Sequence, residues 1–132
     1  MRIVVDTNVL VSGILSPDGP PASILRILLN EDATLCFDER ILAEYVDVLT
    51  RGKFGFDPEF VDDLISFLER TGVPVIANPL SVVLPDMADK MFLEVAASGD
   101  ADHLITGNLK HFPETARRNV SVVSPREFLD RW

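Results

Sequence analysis

Ile3-Val4-Val5-Asp6 decides the fold class: three β-branched apolar residues follow one another without a polar break and stop at a carboxylate. A half-exposed strand alternates polar and apolar residues, so an unbroken run of this length reads as a strand covered on both faces, as in a parallel sheet. Similar short runs lie at Thr34-Leu35-Cys36-Phe37, Val73-Pro74-Val75-Ile76, Leu104-Ile105-Thr106 and Val120-Ser121-Val122-Val123. Pro74 has no N–H to give a ladder, which delays the third strand or places it at an edge.

Helical patterns fill the intervals. Pro20-Pro21-Ala22-Ser23 opens a segment with Ile24, Leu25, Leu28 and Leu29 on one stripe. Asp38 is placed to cap a helix from Arg40 to Thr50, Asp57-Pro58-Glu59 starts another that stops at Gly72, and a helix is expected from about Met87 to Ser98. Ser124-Pro125-Arg126-Glu127 is a capping box with proline at the first helical position. Strands alternating with helices predict an α/β domain of three layers, a mainly parallel central sheet of about five strands flanked by helices, with residues 1–132 forming one domain.

Composition agrees. A chain of 132 residues with 47% hydrophobic and 25% charged residues has the make-up of a globular domain and excludes a disordered tail or a fibre. No apolar run is long enough to span a membrane, and Asp6 interrupts the N-terminus before a signal-peptide core could form, so a cytoplasmic protein is expected. The single cysteine, Cys36, is expected in the core, and no cysteine pairs exist to build a zinc site. A formal net charge of -9 opposes simple nucleic-acid binding and leaves two readings, a solubilising surface or carboxylates gathered around a cation.

Three acids bear on that choice. Asp6 ends the first strand, where open parallel sheets bind ligands, although an aspartate there also serves as a helix cap. Asp89 lies three and four residues before the apolar Phe92 and Leu93. It is therefore a cap, the partner of a buried base or a metal ligand, because an unpaired buried charge is too costly. Glu44 stands at the edge of its helix's apolar face, either looking inward or as an ordinary boundary residue. Two such charges about 4 Å apart repel by roughly 4 kcal/mol at an effective dielectric of ~20. No lysine or arginine is placed by sequence among them, and oxygen ligands suit Mg²⁺ or Mn²⁺. Such a cation can turn a bound water into a nucleophile for a phosphodiester. Gly107 marks a close backbone approach or tight turn beside Thr106 and Asn108. Asp102 reads either as a strand-start residue or as an acid supporting the site.

The chain also resembles the PIN-domain nucleases, specifically the single-domain VapC-like toxins of toxin–antitoxin pairs. The resemblance rests on five stretches in order: Val4 to Ser12, Ile41 to Arg51 with Lys53-Phe54, Asp86 to Ala96, Ala101 to Asn108, and Val122 to Leu129. It implies a three-layer PIN-like fold, Mg²⁺- or Mn²⁺-dependent endoribonuclease activity, a homodimer and a cognate antitoxin. Carried over by position, it implies catalytic and metal-binding roles for Asp6, Glu44, Asp89 and Asn108, with Thr7, Asn8, Thr106, Asp102 and Asp86 in support. The mechanism it implies is in-line attack of water on RNA, leaving 5′-phosphate and 3′-hydroxyl ends. Two departures stand out: Asn108 occupies a position where many relatives carry aspartate, and Asp86-Met87-Ala88-Asp89 replaces the family's Asp-Pro-Asp-Asp. Asn108 removes a charge and supports the alternative, a catalytically weak or inactive scaffold that binds protein or RNA. With so acidic a chain, RNA contacts must come from local groups: Arg51 with Lys53, Lys110 with His111, or Arg117 with Arg118. His103 and His111 are expected to be structural rather than catalytic. The loop Arg51-Gly52-Lys53-Phe54-Gly55-Phe56 is either a plain turn or a substrate contact. A receiver domain is excluded because no paired acids follow the first strand.

Overall fold

The computed structural model describes all 132 residues. Five strands form it: β1 (Arg2–Val5), β2 (Thr34–Phe37), β3 (Val73–Pro74), β4 (His103–Ile105) and β5 (Val122–Val123). They pair in the order β3-β2-β1-β4-β5, every pair parallel. The unbroken apolar run thus lies in the central strand, and Ile3, Val4 and Val5 are fully buried, as expected of a strand with helices over both faces. β3 is the edge strand that Pro74 foreshadows. Val75 still donates to the Phe37 carbonyl (2.8 Å), but Ile76 is 95% exposed, so the apolar run leaves the sheet after two paired residues. One continuous cluster of 32 buried residues, Cys36 among them, gives the chain a single core.

Six helices connect the strands: α1 (Thr7–Leu15), α2 (Pro20–Leu29), α3 (Glu39–Leu49), α4 (Pro58–Thr71), α5 (Lys90–Ser98) and α6 (Pro125–Asp130). Their starts follow the local chemistry. Asp38 accepts from Ile41 N (3.0 Å), Asp57 from Glu59 N (2.9 Å), and Ser124 with Glu127 closes both arms of the capping box. α1 begins directly after Asp6, at the position the sequence offers as a helix cap, and precedes the helix that opens at Pro20. The helix expected from Met87 is corrected. Residues Met87–Asp89 form a separate 3₁₀ turn, with Asp86 accepting from Ala88 N at 3.0 Å, and the α-helix begins only at Lys90.

Gly72 ends α4 against the backbone of β2. A Cβ there would lie 2.6 Å from the Leu35 carbonyl oxygen, 2.7 Å from that of Leu68 and 2.9 Å from the Phe37 ring. Two of these three neighbours are backbone atoms, which cannot step aside as a side-chain tip can. Gly72→Ala is therefore expected to cost about 1–3 kcal/mol, the scale of overpacking a filled site, read as a lower urea midpoint at unchanged m-value. A change below about 0.5 kcal/mol, the scale of ordinary surface substitutions, would mean that helix and strand can separate freely.

Candidate active site

β1 delivers Asp6 to the carboxyl end of the sheet, and β4 delivers Thr106 beside it, where open parallel sheets bind ligands. Asp6 is 5% exposed and Thr106 fully buried. Thr106 Oγ1 donates to Asp6 Oδ2 (2.8 Å) and itself accepts from the backbone N–H of Asn108 (3.0 Å), so the β4 turn fixes the first carboxylate through one hydroxyl. Asp6 occupies the cap position of α1 but makes no capping hydrogen bond with its side chain. The cap reading therefore does not account for the residue.

The first turn of α1 brings the next two groups. Thr7, 4% exposed, donates through Oγ1 to Glu44 Oε2 (3.2 Å) on α3. Asn8 Oδ1 accepts from Gly107 N (3.3 Å), and a Cβ on Gly107 would sit 3.3 Å from that same oxygen. Gly107 thus permits the close approach expected from the sequence. Glu44 is half-buried, and its bond from Thr7 turns the carboxylate toward the cleft that Asp6 also lines.

Asp89 closes the cluster from the start of α5. Its side chain is 13% exposed, and Oδ2 lies 2.8 Å from Nδ1 of His111, carried by the 3₁₀ turn Leu109–His111. Asp89 is thus the partner of a base, one of the readings the sequence leaves open, and that base is His111, which the sequence offers only as a structural histidine or as an RNA contact beside Lys110. Asp86 stands beside them, exposed, and ligand atoms of Asp86, Asp89 and His111 all lie within 4.8 Å of one another. Asp6 and Glu44 are outside that tight triad, yet close enough to act on one another and on Asp89 electrostatically.

The charges record the convergence. Burial, with the charges of Asp89 and Glu44 adding to it against the hydrogen bond from Thr106, pushes the Asp6 carboxyl up to about 6. Burial likewise raises Asp89; the His111 hydrogen bond and charge pull it down, and Asp86 and Glu44 push it up again. The chain's ion pairs are Arg40 with Asp38 and Glu94, Arg51 with Asp47, and His111 with Asp89. No lysine or arginine therefore neutralises Asp6 or Glu44. Carboxylate oxygens gathered with no lysine or arginine paired to them, and with one imidazole alongside, fit a hard divalent ion such as Mg²⁺ or Mn²⁺.

Tyr45 is a support that the sequence does not reveal. It reads as one apolar position of α3, but its fully buried hydroxyl donates to the Val5 carbonyl, one residue before Asp6. Burial and the nearby Asp6 and Glu44 charges hold its phenol well above the ordinary value, so it remains a donor.

Other sequence candidates fall elsewhere. Asp102 is corrected: its carboxylate accepts from Arg2 N (2.8 Å) at the opposite end of the sheet, roughly 13 Å of strand away from Thr106. Asn108 is half-buried beside Thr106, and its side chain makes no capping bond. Arg51 is tied to Asp47 (3.1 Å), Arg117 donates to the Phe112 carbonyl and Arg118 to that of Ser81. Lys53 and Lys110 are exposed and form no ion pair. His103 lies away from the cleft residues, bonded through Nδ1 to Ser121 Oγ (2.9 Å).

A cleft of about 290 Å³ opens beside Asp6, Thr7, Asn8 and Glu44, with Val11, Val48 and Phe54 also in its lining. A larger hollow of about 530 Å³ surrounds the Arg40–Glu94 pair. Its basic groups Arg40 and Lys90 are matched by Asp38 and Glu94, so it lacks the uncompensated charge that marks the smaller cleft.

Comparison with known proteins follows the same residues. An uncharacterized protein of Methanocaldococcus jannaschii is 26% identical over 145 aligned positions covering all of this chain and 92% of that protein. Among solved structures, VapBC2 from Rickettsia felis, bound to a promoter DNA fragment, superposes with a TM-score of 0.64 at 16% identity, covering 94% of this chain and 98% of that one. FitAB bound to an IR36 DNA fragment gives 0.63 at 21% identity over 93% and 94% of the two chains. FitAcB from Neisseria gonorrhoeae gives 0.58 at 19% over 94% and 98%. The sequence profile of the PIN domain matches residues 2–110, a span that carries β1 with Asp6, α3 with Glu44, the turn before α5 with Asp89, and β4 with Thr106. On that match, and with the fold it shares with these solved structures, the chain belongs to the PIN domain family.

Proposed function

We propose that this PIN domain is a Mg²⁺- or Mn²⁺-dependent endoribonuclease and the toxin of a toxin–antitoxin pair. The observation that carries the reading is the convergence of Asp6, Glu44 and Asp89 at the strand ends with no lysine or arginine among them. Asp6 and Asp89 would hold the ion, with Glu44 and the Asn108 carbonyl oxygen completing the set. The ion supplies positive charge to the phosphate and makes a nearby water more acidic. Thr106 fixes Asp6, Thr7 holds one oxygen of Glu44, and the other Glu44 oxygen would either join the ligand set or, left out of it, take a proton from the attacking water. His111 orients Asp89, as outer partners of metal ligands do.

Family membership supports nuclease chemistry, and the carboxylates oppose the decayed-scaffold reading. The solved relatives in fold include complexes named VapBC2 and FitAB on DNA, which suggests an antitoxin partner here too. At a net charge of -9 this chain repels a phosphate backbone, so promoter contact falls to the antitoxin, and two copies of this chain would form the homodimer of the assembly. A single buried thiol, Cys36, suits the reducing cytoplasm.

Thermal unfolding of EDTA-stripped protein tests the reading before any RNA target is known. Added Mn²⁺ is expected to stabilise the wild type, by about 2.7 kcal/mol at 100 times the dissociation constant, and to leave Asp89→Asn unmoved. A wild type that ignores both Mn²⁺ and Mg²⁺ would remove the physical basis of a metal nuclease and favour the scaffold.

A further inference from the structure

The loop between α3 and α4 holds an aromatic pair of which the core uses one member. Phe56 packs against the core, whereas Phe54 is not among the residues that do. Phe54 instead stacks on Phe56, with ring centroids 5.4 Å apart and planes inclined by 10°, and lines the cleft beside Asp6 and Glu44. The backbone is shaped to present it: Phe54 N donates to the Arg51 carbonyl, Gly55 N to that of Gly52, and Gly55 takes the left-handed conformation at φ 66°. Lys53 stands over the ring, its Nζ 5.1 Å from the centroid, and has no carboxylate partner. An apolar wall of Val11, Val48 and Phe54 thus meets the carboxylates within one cleft of about 290 Å³, at the small end of ligand pockets.

Resting on the nuclease reading, we propose that this cleft is a nucleobase subsite: the base next to the scissile phosphate leaves its stack, displaces the Lys53 ammonium from the Phe54 ring and packs on the face that Phe56 does not cover, between Val11 and Val48, and the released Lys53 meets the neighbouring phosphate. Aromatic side chains bind bases through their faces and so tolerate any sequence, while a paired base in a duplex is not free to enter. Phe54 is accordingly a positioning residue for an unpaired nucleotide beside the cut, rather than part of the chemistry. A carboxylate-lined site repels an approaching backbone, and a stacked base with one unpaired lysine is the attraction that the structure offers against it.

Phe54→Ala is expected to raise KM for a short single-stranded RNA about tenfold, to leave kcat in Mn²⁺ within about twofold, and to leave the melting temperature unchanged; Phe54→Trp is expected to restore KM. An unchanged KM, or a loss that follows the melting temperature and is not rescued by tryptophan, overturns the subsite. A second measurement separates this idea from the nuclease reading. The chain has one tryptophan, Trp132 at the C-terminus, so the double variant F54W/W132F places the sole indole in the cleft. In Ca²⁺, its fluorescence is expected to be quenched by single-stranded RNA and not by the same sequence as a duplex. Quenching without cleavage in Mn²⁺ keeps the subsite while the nuclease reading fails; cleavage without quenching does the reverse.

Discussion

Asp6→Asn is expected to abolish RNA cleavage and, in the same protein, to raise the stability of the metal-free fold. The first effect follows from removing a central charge of the carboxylate cluster, and a fall on the order of 10³-fold or more is the scale on which one charge-stabilising group is lost from an active site. The second follows from the Asp6 carboxyl, pushed up from 3.8 to about 6 by burial and by the charges of Asp89 and Glu44. A carboxyl whose folded-state pKa is raised binds its proton more tightly in the folded than in the unfolded chain, so its contribution is full below 3.8 and is lost as pH rises through about 6. At 1.36 kcal/mol for each pKa unit, the ionised residue costs the metal-free fold roughly 3 kcal/mol above that range.

Asparagine keeps an oxygen to accept from Thr106 and carries no charge. In EDTA, urea unfolding of Asp6→Asn and wild type should coincide near pH 3.5, diverge through pH 6 and differ by about 2–3 kcal/mol at pH 8, with the variant more stable. Saturating Mn²⁺ should close or reverse the gap, because only the wild type gains the ion's binding energy. A variant less stable than wild type at pH 8 without metal would show that the carboxylate is not held at a cost, and the argument for a cation site would fail with it.

The parts of this site that are legible in the sequence are those with local causes. Asp6 at the end of an apolar run, Asp38 and Asp57 before their helices, and the Ser124–Glu127 box are each set by neighbours within a few residues, and each appears where the pattern puts it. Pro74 announces the edge strand for the same reason. What the sequence hides is long-range pairing. His111 meets Asp89 across 22 positions, Tyr45 meets Val5 across 40, and Arg40 meets Glu94 across 54. No periodicity carries such information. His111 lies in a 3₁₀ turn, outside any helical stripe, and Tyr45 is indistinguishable from a core aromatic until the partner of its hydroxyl is known. Asp102 shows the converse: it is near Thr106 in sequence, but the strand between them extends rather than coils and carries the two residues to opposite ends of the sheet.

Glu94 is the second residue whose loss should be felt strongly, although it lies away from the carboxylate cluster. It is 5% exposed, with Oε1 accepting from Arg40 (2.8 Å) and Oε2 from Leu80 N (2.8 Å). Three pieces of the chain meet there: α3, which bears Arg40 one turn before Glu44; α5, which begins directly after Asp89; and the irregular segment containing Leu80. Glu94→Ala leaves the Leu80 N–H without its acceptor and Arg40 with Asp38 alone. Removing one side of a buried, hydrogen-bonded ion pair costs about 3–5 kcal/mol; because Arg40 is half-exposed, about 2–4 is expected here. The helices carrying Glu44 and Asp89 lose their tie, so cleavage should fall as well, by a factor that Glu94→Gln partly restores.

The pH dependence has a definite sign. Burial pushes the Glu94 carboxyl up, but the Arg40 and Leu80 hydrogen bonds together outweigh it and hold the group below its ordinary 4.5. A lowered folded-state value means that its stabilisation is fully present above 4.5 and is lost as pH falls through the folded-state value, the opposite of Asp6. The gap between wild type and Glu94→Ala, measured by urea unfolding, should therefore be largest at neutral pH and shrink below pH 4.5. A gap of equal size at pH 7 and pH 3.5 would assign the whole effect to lost packing and leave the ion pair without a part in holding the two helices together.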